Sequence, residues 1–241
     1  MQQLRILYQD DHLIAVDKPS GLQVHPPERR VLGEFGKTAG PHFTALSLLK
    51  KQSGKWIYPV HRLDRATSGV LLFALTSEAA SKIQKQFQRR EIKKTYIAVV
   101  RGWTNDHGQI DSPLKNAIDT LAPLEAVTEY ETLYKFELPF STPQHPTSRY
   151  SIVKAMPLTG RYHQIRRHFK HLSHPLIGDT VYGDGKHNRI FRELTGSTGL
   201  YLKAYSLEFL HPYTQEKITL KSKWGHFWHR LFELANLCPY L

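Results

Sequence analysis

The chain has 241 residues, 40% hydrophobic and 11% aromatic, enough to bury a core and unlike a disordered or fibrous protein. Its 33 Lys and Arg against 21 Asp and Glu give a net charge of +12, which points to a polyanionic partner. No apolar run approaches the roughly 20 residues of a membrane span, the N-terminus has no basic-then-apolar signal pattern, and the single Cys238 excludes an internal disulfide or a thiolate zinc site; a cytoplasmic protein with no membrane attachment is expected.

In chain order, LRILYQDDHLIAV reads as two strands about an acidic turn, a β-hairpin that ends at Pro19-Ser20-Gly21. Residues 26 to 42 mix Pro, Gly and charge without periodicity and read as a loop, with a short helix following around residues 44 to 51. Residues 69 to 75 are apolar throughout, as a strand covered on both faces must be. Ser77 is placed to cap a helix in which Ala80, Ile83 and Phe87 recur at helical spacing while Lys82, Lys85 and Arg89 face outward. KTYIAVV (94 to 100) is a strand by its β-branched and aromatic content. Between residues 110 and 151 lie strand-like pieces interrupted by Pro, such as AVTEYETLYKFEL, and SIVKAM leads through a turn at 157 to 160 into another helix. At the chain end Trp224, Phe227, Trp228 and Leu231 recur at helical spacing and supply an apolar face for the core. With many strands, few helices, no repeat and no linker, the chain reads as a single α+β domain over residues 1 to 241, its sheet mixed or antiparallel.

Two basic clusters stand out, QRREIKK (88 to 94) and GRYHQIRRHFKHL (160 to 172). A solvated surface would account for either alone; together with the global charge they favour nucleic acid. In the second, a helix at about 100° per residue puts Tyr162, Ile165, Phe169 and Leu172 in one apolar arc and His163, Arg167, Lys170 and His171 opposite. Arg166 falls about 40° from Tyr162, at the border. It is expected to be half-buried and to need a carboxylate.

Asp64 is the carboxylate without another obvious task. It stands between Arg62 and Arg65 at the mouth of the apolar strand in VHRLDRATSGVLLFAL (60 to 75). Held there by cations and shielded from water, it has what a nucleophile or general base requires, fixed geometry and a poised charge. An ion pair tying a loop to a helix is the simpler alternative.

The segment HRLDRATSGVLLFAL resembles the central motif of the RluA family of pseudouridine synthases, H-R-L-D-x-x-T-S-G followed by apolar positions. Four further segments agree in order and spacing: AVDKPSGLQVHP (15 to 26), KTYIAVVRG (94 to 102), TGRYHQIRRH (159 to 168) and HPLIGDTVYGD (174 to 184). The resemblance runs from about residue 4 to 215. It implies the pseudouridine synthase fold, with helices flanking the sheet and a catalytic cleft. It also implies isomerisation of uridine to its C-glycoside in a folded RNA, without metal or cofactor; a monomer is expected. The family's catalytic aspartate falls on Asp64, whose carboxylate would attack the ribose or the base, or remove a ribose proton, and the sequence leaves these routes open. Arg62 falls on the arginine implied to pair with that aspartate and to fill the stack when the target base flips out. Tyr96 falls on the tyrosine implied to stack on the extruded uracil beside its C5 proton. Arg166 falls on the aspartate's implied salt-bridge partner. Lys94, Arg161, His163 and Arg167, from the basic clusters, are candidate RNA contacts, and Arg65 is a surface or phosphate contact.

Within the family, residues 146 to 189 most resemble the branch that modifies uridine 65 of tRNA, and a catalytic domain without an N-terminal S4-like RNA-binding domain is expected. Lys203 stands where the family usually has histidine, and its role is open. Three alternatives are kept. A synthase of ribosomal RNA is one. A catalytically silent RNA-binding protein on the same fold is another, against which the joint presence of Asp64, Arg62, Tyr96 and Arg166 argues. The third, a metal-dependent hydrolase built on His163, His168, His171 and His174, lacks an HExxH or paired-carboxylate companion.

Overall fold

The computed structural model describes residues 3–25, 43–115, 122–141 and 146–237. The loop expected at 26 to 42, and Cys238, lie outside the described residues. In chain order the elements are β1 (Arg5–Gln9), β2 (Leu13–Lys18), α1 (Ala45–Ser53), β3 (Tyr58–Pro59), β4 (Ser68–Ala74), α2 (Ser77–Gln88), β5 (Lys93–Arg101), β6 (His107–Asp111), β7 (Val127–Leu138), β8 (Ser148–Pro157), α3 (Gln164–His171), α4 (Gly185–Thr195), β9 (Leu202–Leu210), β10 (Lys217–Lys221) and α5 (His226–Leu234).

The hairpin β1–β2, the helices α1 and α3 and the strands β4, β5 and β8 stand where the residue pattern puts them. α2 begins one residue earlier than expected. Thr76, in extended backbone, caps it by accepting from the Ala79 N–H, and Ser77 is the first helical residue. α4 has no counterpart in the sequence reading; its start is set by Asp184, which accepts from Lys186 and His187 N–H groups.

The strands join one sheet in the order β1-β2-β4-β9-β5-β8-β7-β6, with β3 on β4 and β10 on β9. Every pairing is antiparallel except that of β4 with β9, where Ser68 meets Lys203 and Gly69 meets Ala204. The sheet is thus mixed, and the class is the α+β one expected. All seven residues of β4 are buried because helices cover both its faces. Val70, Leu72 and Ala74 pack with Ala79, Ala80 and Ile83 of α2, whereas Leu71 and Phe73 pack with Ala45 and Leu49 of α1. Farther along, Ala98 and Val100 of β5 meet Ile165 and Phe169 of α3, and Ile97 and Val99 meet the α4 and α5 side, where Phe191, Trp228 and Leu231 are buried. Tyr96 touches both the α1 and the α3 clusters. It therefore sits where these two clusters meet.

The parallel junction depends on Gly69. Its φ is +117°, and a Cβ there would lie 2.1 Å from the Ala204 carbonyl oxygen. No side chain fits without separating β4 from β9. Gly69→Ala is expected to destabilise by about 3 kcal/mol or more, read as a lowered urea midpoint at unchanged slope; a midpoint like that of the wild type would refute the close approach.

Candidate active site

Asp64 lies in the loop that enters β4, and the segment after β2 holds that loop in place. Lys18, fully buried, donates to the carbonyls of Pro19 at 3.0 Å, Leu22 at 2.8 Å and Arg65 at 3.2 Å. Around it the Gly21 N–H donates to Arg65 O, the Ser20 hydroxyl to Ala66 O and Arg65 Nε to Gly21 O. Burial pushes the Lys18 ammonium down to about 7 against the opposing pull of the Asp64 charge. The AVDKPSG and HRLDRA segments are therefore two halves of one clamp, a link that spacing alone did not reveal.

His61 secures the same loop from the strand side. Its Nε2 accepts the Leu72 N–H at 2.9 Å, on the β4 edge just past the pairing of β3 with Phe73 and Ala74, and its ring stacks on Phe87 with 5.0 Å between centroids. Burial first, then the charge of Lys94, pushes its pKa down to about 3.

Arg166 is 5% exposed, not half-buried, and its principal partner is Asp179 rather than Asp64. Nε and Nη2 donate to the two oxygens of Asp179 at 2.7 and 2.8 Å. Nη1 is left 3.5 Å from Asp64 Oδ2. Burial opposes the charge on Asp179, but the Arg166 bond and the N–H groups of Tyr182 and Val181 outweigh it and hold this carboxyl below its ordinary value. Asp179 sits in HPLIGDTVYGD; a buried arginine one motif away was the signal that could have singled it out. The helical wheel put Tyr162 in the apolar arc, but α3 starts only at Gln164, and Tyr162 is 42% exposed.

A cleft of about 650 Å³ opens over Asp64, lined by Tyr96, Thr67 and Leu202 and by Arg62, Arg161 and Tyr162. Burial, then the Asp64 charge, pushes the Tyr96 phenol above its ordinary value, so it stays protonated near neutral pH. Arg62 is exposed and forms no ion pair with Asp64, contrary to the pairing implied by the resemblance. A solvated guanidinium has no need of a carboxylate, whereas the buried one of Arg166 does. Lys94 donates to Thr159 O at 3.0 Å, and burial, reinforced by Arg90, pushes it down to about 8. Arg161 Nε donates to Glu125 O. Arg167 donates to Lys115 O and does not line the cleft. His163 faces Asp64 itself, its Nε2 3.8 Å from Oδ2. Gln164, which the sequence reading passed over, is buried and joins Thr159, Val127 and Thr128, fixing the start of α3.

The histidines considered as metal ligands are dispersed. His168 bonds with Thr128 and Ser112, and His174 with the Arg101 carbonyl. Among the described residues no group of three His, Cys, Asp or Glu side chains is placed to hold a metal ion. Likewise, no described helix is long and apolar enough to cross a membrane.

A buried arginine presenting one nitrogen to a carboxylate above a protonated tyrosine is an arrangement for acid–base or nucleophilic chemistry on a ring that stacks. The model of the RNA pseudouridylate synthase family matches residues 12–171, and the chain belongs to that family: it is an RNA pseudouridine synthase. Among its relatives, tRNA pseudouridine synthase C of Vibrio vulnificus is 44% identical over 95% of this chain and 94% of its own length. The protein of the same name from Pasteurella multocida is 46% identical over 97% and 96%. Human RNA pseudouridylate synthase domain containing 4 superposes with a TM-score of 0.69 over 96% of this chain and 93% of the other, at 23% identity, a likeness of fold.

Two outcomes test the geometry. Asp179→Asn leaves a buried guanidinium half-paired and is expected to lower stability by about 3 to 5 kcal/mol, measured by urea denaturation; a loss under about 1 kcal/mol would show that Asp64 can take over the pairing. For His61, the unfolded chain binds a proton below about 6.5 that the folded chain refuses until about 3. Its contribution therefore makes stability fall as pH drops through that window. His61→Gln, which keeps an acceptor for Leu72, is expected to flatten the fall, and a melting-temperature profile identical to that of the wild type would contradict the assignment.

Proposed function

We propose that this chain isomerises a uridine to pseudouridine in tRNA, at position 65, with Asp64 as the reacting carboxylate and neither metal nor cofactor. The single observation that carries this reading is the placing of Asp64, 19% exposed, in a cleft lined by Tyr96 and against the Nη1 of a buried arginine whose charge Asp179 already balances. The relatives named tRNA pseudouridine synthase C, matched along nearly their whole length, support tRNA as the substrate.

The reaction breaks the bond from N1 of uracil to C1′ of ribose and forms one from C5 to C1′; N1 gains a proton and C5 loses one, so nothing is added or removed overall. What it asks of the protein is that the detached base be held, turned and kept from water. Tyr96 serves as its stacking surface, and its protonated phenol lies near the C5 proton. Arg166 keeps Asp64 in one orientation. Arg62, free in the cleft, fills the place of the flipped base, while Lys94, Arg161, Arg167 and Arg65 meet the RNA backbone. The enzyme works as a monomeric single domain in the cytoplasm.

The test is tritium release from tRNA transcripts labelled at uridine C5, with wild type and Asp64→Asn compared and the fold of both checked by circular dichroism. Release by the wild type and none by the folded variant is expected. Release by the variant would remove Asp64 from the chemistry, and release from ribosomal transcripts alone would move the substrate. Affinity for tRNA is expected to fall about 10³- to 10⁵-fold between roughly 50 and 200 mM salt, for about 6 to 10 phosphate contacts; a flat dependence would contradict the basic footprint.

A further inference from the structure

His163 is built into the site in a way that an RNA contact would not require. It directly precedes α3 with φ +54° and ψ +27°, a left-handed backbone that non-glycine residues adopt at some strain, yet its side chain makes no capping bond to the helix. The ring is clamped instead. It stacks on Tyr162 with 3.7 Å between centroids, meets Tyr182 edge-on at 82°, and has Nδ1 3.2 Å from the Tyr182 hydroxyl. Nε2 lies 3.8 Å from Asp64 Oδ2, the same oxygen that Arg166 Nη1 approaches at 3.5 Å.

The charged groups around the ring are Asp64 and Asp179, which favour its protonation, and Arg166 and Arg167, which oppose it. Burial acts most strongly and, with the arginines, leaves the imidazole below its ordinary pKa, so near neutral pH it carries one N–H. That proton belongs on Nε2. A lone pair there would face the Asp64 carboxylate, whereas on Nδ1 it can accept from the Tyr182 hydroxyl.

We propose that His163 is a positioning residue, not an RNA contact: oriented by Tyr182, its Nε2–H joins Arg166 in engaging Asp64 Oδ2 and leaves Oδ1 as the oxygen that meets the substrate. This rests on Asp64 being the reacting carboxylate. Both approaches are longer than hydrogen bonds, and contacts of this kind tighten in reacting complexes. Holding one oxygen from two sides also stops the carboxylate from rotating, so a single oxygen with a fixed direction faces the ribose and the base.

The experiment measures single-turnover rate at saturating tRNA, and tRNA affinity by filter binding, for His163→Ala, His163→Gln and Tyr182→Phe, with Asp64→Asn as reference. His163→Ala is expected to slow turnover about 10- to 100-fold, the effect of one hydrogen bond to a charged group, with affinity unchanged. His163→Gln, which returns an N–H near the Nε2 position, restores most of the rate. Tyr182→Phe slows turnover by a smaller factor, again with affinity and melting temperature unchanged. Weaker tRNA binding by His163→Ala with normal saturated turnover would overturn the proposal, as would a glutamine variant no better than alanine. Where the alanine variant fails to fold, normal turnover by Tyr182→Phe overturns it. An active Asp64→Asn would instead sink the underlying assignment of Asp64, an outcome that the other variants do not mimic.

Discussion

The site depends on how one buried guanidinium divides its nitrogens. Arg166 has almost no contact with water, so it has to be neutralised inside the protein. Had Asp64 done this alone, a two-pronged pair would have occupied both carboxylate oxygens, whereas the chemistry proposed for Asp64 needs one of them free. Asp179 takes the two-pronged role and is in turn bonded by the Val181 and Tyr182 N–H groups. The turn that carries it is possible because Gly178, at φ +79°, lies so close to Gly199 that a Cβ would come within 2.1 Å of that carbonyl oxygen. Arg166 is thus fully charged, fully paired, and still offers Asp64 a nitrogen that cannot wander.

On the other side of Asp64 the chain uses a lysine in the opposite manner. Lys18 has carbonyl oxygens as its partners. These satisfy its donors and cancel none of its charge. When the amine is protonated its field therefore reaches Asp64, the charge that in turn lifts the Lys18 pKa back toward normal. Burying this amine is costly, and what the fold gains is a loop whose backbone is pinned at Arg65 and Ala66 before any substrate arrives. Preorganised charges of this kind need no rearrangement during reaction. Lys203, the departure from the family pattern, is a third buried cation; burial lowers its pKa, and it stands 3.7 Å from Asp17, which the Ser222 hydroxyl also engages.

The strands and helices with strong periodicity were legible in the sequence, β4 above all, because a seven-residue apolar run leaves few structures open. The motifs singled out Asp64, Tyr96 and Arg166, which the fold brings to one cleft, and the wheel placed Arg166 near the buried face. What the sequence did not carry was the partnership between motifs. Asp179 and Arg166 are 13 residues apart and Lys18 and Arg65 are 47, and no local pattern distinguishes these pairings from the alternatives. The wheel also failed at its own edge: it assumed that Tyr162 was helical, whereas the left-handed turn at His163 delays the helix and swings Tyr162 outward. α4 escaped notice because its sequence, GKHNRIFRELT, is polar enough to read as loop until Ile190 and Phe191 are seen to be buried.

The net charge of +12 gains its meaning from how the cations are spent. Arg90 is paired two-pronged with Glu125, and Arg166 with Asp179, so neither adds much to the field outside. Arg65, Arg161, Arg167 and Lys94 are anchored through carbonyl oxygens instead, which fix the side chain and leave the charge whole. An arginine held in this way loses little further freedom on meeting a phosphate, and its remaining N–H groups are already aimed. Arg62 is the contrasting case, exposed in the cleft with neither anchor nor counter-ion among the described residues. That freedom suits the stack-filling role proposed for it, just as anchoring suits the backbone contacts proposed for the other four.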